Sequence, residues 1–94
     1  MATTTKFVKA TNTRSIVAAT TVNHAGTNYA PRPGTLRQVH LSWQAFCAVA
    51  KANPNGFTVA TYLAEQAKVN PENVGDALPC LRYWANNGHV LVAA

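Results

Sequence analysis

Apolar residues recur at spacings of three and four in the second half of the chain, which is the period of an amphipathic helix. Thr35 is placed to cap such a helix, and the Asn53-Pro54-Asn55-Gly56 run is of the kind that ends one. The apolar positions between these two signals are Leu36, Val39, Leu41, Trp43, Phe46, Cys47, Val49 and Ala50. The pattern predicts a first helix that ends at Lys51 or Ala52.

Two more helices are predicted after short breaks. Thr58 is a candidate N-cap for the second helix, and Asn70 followed by Pro71 can start the third. Apolar residues mark their buried sides: Val59, Tyr62, Leu63 and Ala67 in the second, and Val74, Ala77, Leu78, Leu81 and Trp84 in the third. Pro79 interrupts the third pattern and removes a hydrogen bond toward Gly75, so we expect that helix to be kinked or split.

The segments on either side of the helical region favour strands. His89-Val90-Leu91-Val92 follows a turn signal at Gly88 and predicts a closing strand. Residues 7–10 and 15–22 are also β-prone, and we expect this N-terminal arm to pair with the closing strand at residues 89–93. Residues 29–34 carry two prolines and a glycine, which predict an extended connector.

Length limits the chain to one modest core, because 94 residues cannot support two independent domains. We divide it into a basic arm with its connector, residues 1–34, and a globular domain, residues 35–94. No run approaches the eighteen or so apolar residues of a membrane span, and the N-terminus lacks the apolar stretch of a secretory signal. We therefore expect a cytoplasmic protein that does not act at a membrane.

The positive charge is concentrated in the arm, and this bears on which partners the chain could attract. The net charge is +5, and the first 37 residues contain no acid. They hold five cations, which are Lys6, Lys9, Arg14, Arg32 and Arg37. From residue 38 onward, three cations are balanced by Glu65, Glu72 and Asp76. An anionic partner would be attracted to the arm, although the same residues could simply keep an exposed segment soluble.

The stretch from Leu63 to Val74, with its Leu-Ala-x-x-Ala pattern and tight Asn-Pro turn, resembles the winged helix-turn-helix family. Leu78 and Leu81, and then Gly88 before the closing strand, extend the resemblance over residues 36–92. It implies a mainly α fold with three helices, a short C-terminal strand and a β-prone arm. It also implies a small phage-type or bacterial regulator. The third helix is about one turn longer than the family pattern, and Pro79 falls where a recognition helix is usually continuous.

If the third helix is a recognition helix, its outward side chains would face a DNA groove. The residues suited to contact bases or phosphates there are Asn73, Arg82, Tyr83 and Asn86. Glu72 and Asp76 would oppose a polyanion, so the arm must supply affinity through Arg14, Arg32 and Arg37, with Lys6 and Lys9 beside them. The leading hypothesis is a regulatory protein that binds double-stranded DNA.

A second hypothesis remains open. A neutral domain that exposes Tyr83, Trp84 or Trp43 could instead dock a protein, because aromatic residues are common anchors of such contacts. The β-prone arm could then add a strand to the sheet of a partner or of a second copy of the chain. In that case the protein would be an interaction module, an adaptor or inhibitor that is able to self-associate.

Catalysis and metal binding have little support in the sequence. The chain has only three carboxylates, and no Ser/His/acid or Cys/His grouping can be proposed from spacing, so we expect no enzyme and no small-molecule substrate. Cys47 and Cys80 are expected as reduced core thiols, and the histidines as surface residues, because no pair has metal-site spacing. No cofactor is implied.

Overall fold

Helices and short strands alternate along the chain in the computed structural model, which describes residues 6–94 apart from the side chain of Asn73. The strands are β1 (Phe7–Lys9), β2 (Thr21–His24), β3 (Phe57–Thr58) and β4 (Val90–Ala93). The helices are α1 (Arg37–Ala52), α2 (Val59–Val69) and α3 (Val74–Asn86), with 3-10 turns at Thr13–Ser15 and Pro71–Asn73. Within residues 6–94, no helix combines the length and apolar character needed to cross a bilayer.

The strands form one antiparallel sheet in the order β1-β4-β2-β3. The closing strand β4 lies between the two N-terminal strands, so the expected pairing of the arm with residues 89–93 is confirmed. Val22 of β2 pairs with Val92 on one side and with Phe57 on the other. The three predicted helices are also confirmed, but the fold is mixed α and β rather than mainly α, because the arm completes a four-stranded sheet.

The second arm strand lies later in the chain than predicted. We expected residues 15–22, whereas β2 is Thr21–His24. The hydroxyl of Thr20 accepts a hydrogen bond from the Val17 N–H at 2.9 Å, and the Thr20 N–H donates to the Val17 carbonyl at 3.0 Å. This local turn satisfies backbone groups that a strand would pair across the sheet, so β2 can begin only after it.

Capping explains where the first two helices begin and end. Helix α1 ends at Ala52 as predicted, with Asn53 as its C-cap, but it begins at Arg37 after Leu36, which makes no side-chain cap. Thr35 does not cap it, because Thr35 lies one residue before the N-cap position. Its N–H closes a turn onto the Arg32 carbonyl at 3.0 Å. The cap at Thr58 is confirmed, since its hydroxyl accepts from the Thr61 N–H at 3.4 Å at the start of α2.

Helix α3 continues through Pro79 as a single element. We expected a kink or a split there, and the split is wrong. Pro79 has no N–H to donate to the Gly75 carbonyl, but both residues are exposed, so water can hydrate that carbonyl. The 3-10 turn Pro71–Asn73 precedes α3 and makes the connection from α2 very short.

The core is an aromatic cluster between the sheet and the helices. Trp84 packs edge-on against Trp43 at 4.8 Å between ring centroids, and Phe46 packs against Phe57 at 5.4 Å. The hydroxyl of buried Tyr62 donates to the Ala77 carbonyl at 3.1 Å, which joins α2 to α3. Both tryptophans are therefore packing residues, as their helical spacing predicted. Neither is exposed for docking, so the docking hypothesis was wrong about Trp43 and Trp84.

Candidate nucleic-acid interface

One face of α3 points away from the core. Its opposite side is fixed by Ala77, Leu81 and Trp84, which are fully buried. The exposed residues recur at helical spacing and are Gly75, Asp76, Pro79, Tyr83 and Asn86. Tyr83 is the largest of them, and 64% of it is accessible to solvent. We call these five residues the outer face of α3, and it is the surface that a partner approaching this helix would meet.

The turn Thr13–Ser15 packs against one flank of α3. Asn12 stabilises this turn because its side-chain oxygen accepts a hydrogen bond from the Arg14 N–H at 3.1 Å. Arg82 holds the turn to the helix by donating to the Ile16 carbonyl, from Nε at 3.2 Å and from Nη2 at 2.8 Å. The side chain of Arg14 is exposed on this turn, so one arm cation lies beside α3.

The connector lies along the other flank of α3. Tyr29 is stacked on His89 with 3.8 Å between ring centroids, and it packs edge-on against Trp43 at 4.9 Å. These contacts hold the connector so that Arg32 and Tyr83 line the same open groove, which has a volume of about 810 Å³. Groove-lining Cys80 and turn-binding Arg82 are two residues apart in α3 and therefore lie on opposite flanks of the helix, at about 100° per residue. A second arm cation thus lies beside the outer face of α3, on the flank opposite the Arg14 turn.

The other predicted cations lie on or beside other elements and do not line the groove of Arg32. Lys6 and Lys9 are exposed at the start and end of the edge strand β1, and Arg37 is exposed at the start of α1. Arg37 shares a shallow groove with Glu72, at the turn that precedes α3. The side chain of Asn73, which we predicted to face a DNA groove, lies outside the described part of the chain.

The cations are not neutralised by acidic neighbours. Within residues 6–94, none of the lysines or arginines forms an ion pair with Glu65, Glu72 or Asp76. Asp76 is exposed on the outer face of α3, near the helix N-terminus, where a negative charge interacts favourably with the helix dipole. The field around α3 therefore has its positive charge on the two flanks and its negative charge at one end.

All three histidines, which we expected at the surface, are half-buried: His24, His40 and His89. His24 Nδ1 accepts a hydrogen bond from the Gly26 N–H at 2.8 Å. Burial lowers the pKa of His24, and the neighbouring His89 lowers it further. Among the described side chains, no three His, Cys, Asp or Glu residues gather into a group that could hold a metal ion.

Cys47 and Cys80 are free thiols and both are half-buried. Burial raises the pKa of each, and Asp76 raises that of Cys80 further. Both sulfurs are therefore protonated near neutral pH, and a protonated thiol is a poor nucleophile and a poor metal ligand.

Sequence reasoning missed Tyr29 and the groove beside it. Tyr29 stands in a segment that was interpreted only as a proline-rich connector, although a solvated linker has no need of a large aromatic ring. That aromatic residue was the one available signal that the connector packs onto the domain. The stacking of Tyr29 on His89 joins residues far apart in the chain, so helical or strand periodicity could not reveal it.

Comparison with protein-family models, with curated proteins and with solved structures finds no match to this chain. The interpretation of the interface therefore depends on its geometry and charge.

Proposed function

We propose that this protein binds double-stranded DNA in a regulatory role, with the outer face of α3 toward the major groove. The observation that carries the proposal is the position of two unpaired arm cations, Arg14 and Arg32, on segments that border opposite flanks of α3. A helix in the major groove has a phosphate backbone on each side, so cations on both flanks of a helix are suited to hold it there.

The proposed fold type is a winged helix-turn-helix in which the arm completes the sheet. The order α1, β3, α2, tight turn, α3 and β4 agrees with the resemblance seen in the sequence. Strand β4 is flanked by β1 and β2, so strands from the N-terminal arm occupy the sheet positions beside it. In this interpretation α2 is the support helix and α3 is the recognition helix.

The affinity in this proposal is divided between helix and arm. On the outer face of α3, Tyr83 and Asn86 offer a ring and an amide to bases, while Asp76 repels phosphate. Arg14 and Arg32 supply the phosphate contacts. Arg82 acts as a positioning residue, because its donors to the Ile16 carbonyl hold the Arg14 turn in place. Lys6, Lys9, Arg37 and Asn73 remain peripheral contacts of the same proposal.

The decisive experiment is a titration of fluorescently labelled duplex DNA, followed by anisotropy at two salt concentrations. Each phosphate contact that is lost should reduce the slope of log affinity against log salt by about 1. Arg14→Ala combined with Arg32→Ala should therefore weaken binding at low salt and flatten the slope by about 2. Lys51→Ala is the matched control, because Lys51 is an exposed cation on α1, away from α3.

Two outcomes would contradict the proposal. One is an absence of binding at low salt, and the other is equal loss of affinity in the Lys51→Ala control and in the double variant.

Tyr83→Ala and Asn86→Ala test whether α3 itself contacts DNA. Both side chains are exposed, so their removal should leave the fold intact.

A protein-docking function is the second candidate, and exposed apolar side chains favour it. Leu36 is 64% exposed and Val69 is 47% exposed. Val69 lines the shallow groove that Arg37 and Leu41 border, and Leu36 directly precedes Arg37. If this surface binds a partner or a second copy, the purified protein should form an oligomer or a complex in light scattering. Leu36→Ser should then disrupt that assembly without affecting DNA binding.

A further inference from the structure

The groove between the connector and α3 has properties that a duplex-binding surface does not require. Its volume of about 810 Å³ lies in the range of small-molecule sites. One wall is the connector with Tyr29 and Arg32, the other is the flank of α3 with Pro79 and Tyr83, and Trp84 also lines the groove. The major groove of DNA would accommodate the convex outer face of α3. The groove of the protein is concave and lies beside that helix, so duplex binding does not require it.

The walls of the groove are held in place by contacts within the chain. The Ala25 N–H donates to the His89 carbonyl at 3.2 Å, which joins the residue after β2 to the residue before β4. The Thr35 N–H donates to the Arg32 carbonyl at 3.0 Å, which closes a turn at the end of the connector. Between these two points Tyr29 stacks on His89. A site formed in advance loses less free energy to ordering when it binds.

The charge and the rings of the groove define what fits it. Arg32 is the only arginine, lysine or carboxylate among the described residues that line it, so an anion is favoured there. Tyr83 contributes a largely exposed ring on the α3 wall, and exposed aromatic rings of this kind stack on planar bases. A ligand that matches both features has a flat aromatic body joined to a negatively charged group.

We propose that this groove binds a nucleotide, with the phosphate on Arg32 and the base on the ring of Tyr83. The nucleotide is either free or an unpaired residue of a nucleic-acid strand. The proposal goes beyond duplex binding, which uses the convex outer face of α3. Arg32 and Tyr83 serve both surfaces, whereas Arg14 and Asn86 do not line the groove and belong to duplex binding alone.

The test is an NMR titration of the full chain with adenosine 5′-monophosphate, adenosine and inorganic phosphate. With the nucleotide, saturable shifts should appear at the Trp84 indole N–H and at the Asn87 and His89 amides, and not at Lys51 on α1. Arg32→Ala should weaken nucleotide binding by about tenfold and leave adenosine binding unchanged, and Tyr83→Ala should weaken both. Lys51→Ala is the control, because Lys51 is exposed and lies outside this groove.

The proposal is overturned if the nucleotide gives no saturable shift at these groups. It is also overturned if inorganic phosphate reproduces the shifts, or if Lys51→Ala weakens binding as much as Arg32→Ala. A duplex with one bulged adenosine, compared with the fully paired duplex, identifies the source: tighter binding of the bulge indicates an unpaired nucleotide, and equal binding indicates a free one. Arg14→Ala distinguishes the two functions, since it should weaken duplex binding and leave mononucleotide binding unchanged.

Discussion

The guanidinium of Arg82 donates two hydrogen bonds to the Ile16 carbonyl, from Nε at 3.2 Å and from Nη2 at 2.8 Å. Ile16 is 1% exposed, so its side chain belongs to the core while its carbonyl accepts from a charged side chain of α3. The contact connects residues 66 positions apart. It therefore joins the arm to the helical region and sets where Arg14 lies relative to α3.

Arg82→Ala should lower the free energy of unfolding by about 1–3 kcal/mol, because the half-buried Ile16 carbonyl loses a charged donor. The measurement is urea unfolding followed by circular dichroism. Arg14→Ala removes an equally charged but exposed side chain that makes no side-chain hydrogen bond, so it should change stability by less than about 0.5 kcal/mol. Equal midpoints for the two variants would show that the Arg82 contact is not formed in solution.

Removing residues 1–34 should leave a chain that does not fold cooperatively. Strand β2 lies inside the sheet between β4 and β3, and Val22 at its centre is 0% exposed. Without the arm, β4 loses its neighbours β1 and β2, and β3 loses its neighbour β2, which leaves backbone groups and core surface uncovered. Thermal melting of the 35–94 fragment checks this, and a sharp transition would show that residues 35–94 are an autonomous domain.

A pair of point variants separates loss of the arm from loss of core contacts. Val22→Asp should also abolish the cooperative transition, because it buries an unpaired charge. Val17→Asp should not, since Val17 lies in the adjoining turn and is 50% exposed. If both variants melt like the parent protein, β2 is not part of the core in solution.

The helical part of the fold could be predicted because its signals are local. The period of apolar residues defined α1 and α2, and the Thr58 cap and the Asn53 stop set two of their boundaries. The helix through Pro79 was harder to predict, since propensity alone does not show that Gly75 and Pro79 lie on the exposed face of α3. The strand β2 was displaced by the turn at Thr20, where a single hydroxyl competes with strand pairing.

The site could be predicted only in part, because its geometry depends on contacts between distant segments. The charge of the arm pointed to Arg14 and Arg32 as candidates. Their positions on the two flanks of α3 depend on Arg82 and Tyr29, whose partners cannot be inferred from spacing. The groove forms only when the connector packs onto His89, so no short stretch of the sequence could predict it.

Stability should fall in mild acid because of His24. Burial and then the charge of His89 lower its pKa below the ordinary value of 6.5, so the unfolded chain binds a proton more readily than the folded one. The contribution of a neutral His24 is complete above pH 6.5 and is lost as the pH falls through that value toward the folded pKa. Urea unfolding at pH 7.5 and at lower pH measures the change.

His24→Asn is the informative variant for this effect, since an amide oxygen can accept from the Gly26 N–H and does not titrate. Its stability should depend less on pH than that of the parent protein. His40→Asn removes a histidine of α1 and should keep the parent's dependence. An unchanged dependence in His24→Asn would mean that other groups cause the acid sensitivity.

Pro79→Ala should raise the free energy of unfolding by about 1–3 kcal/mol, because it restores a donor to the Gly75 carbonyl inside a continuous helix. The gain is less than the full helix penalty of proline, since proline also restricts the unfolded chain. Gly75→Ala provides a matched comparison: an added Cβ meets no atom within 4 Å, and alanine should contribute about 0.5–1 kcal/mol. Both changes are measured as urea midpoints. A Pro79→Ala variant no more stable than the parent would mean that the helix is not regular at this position in solution.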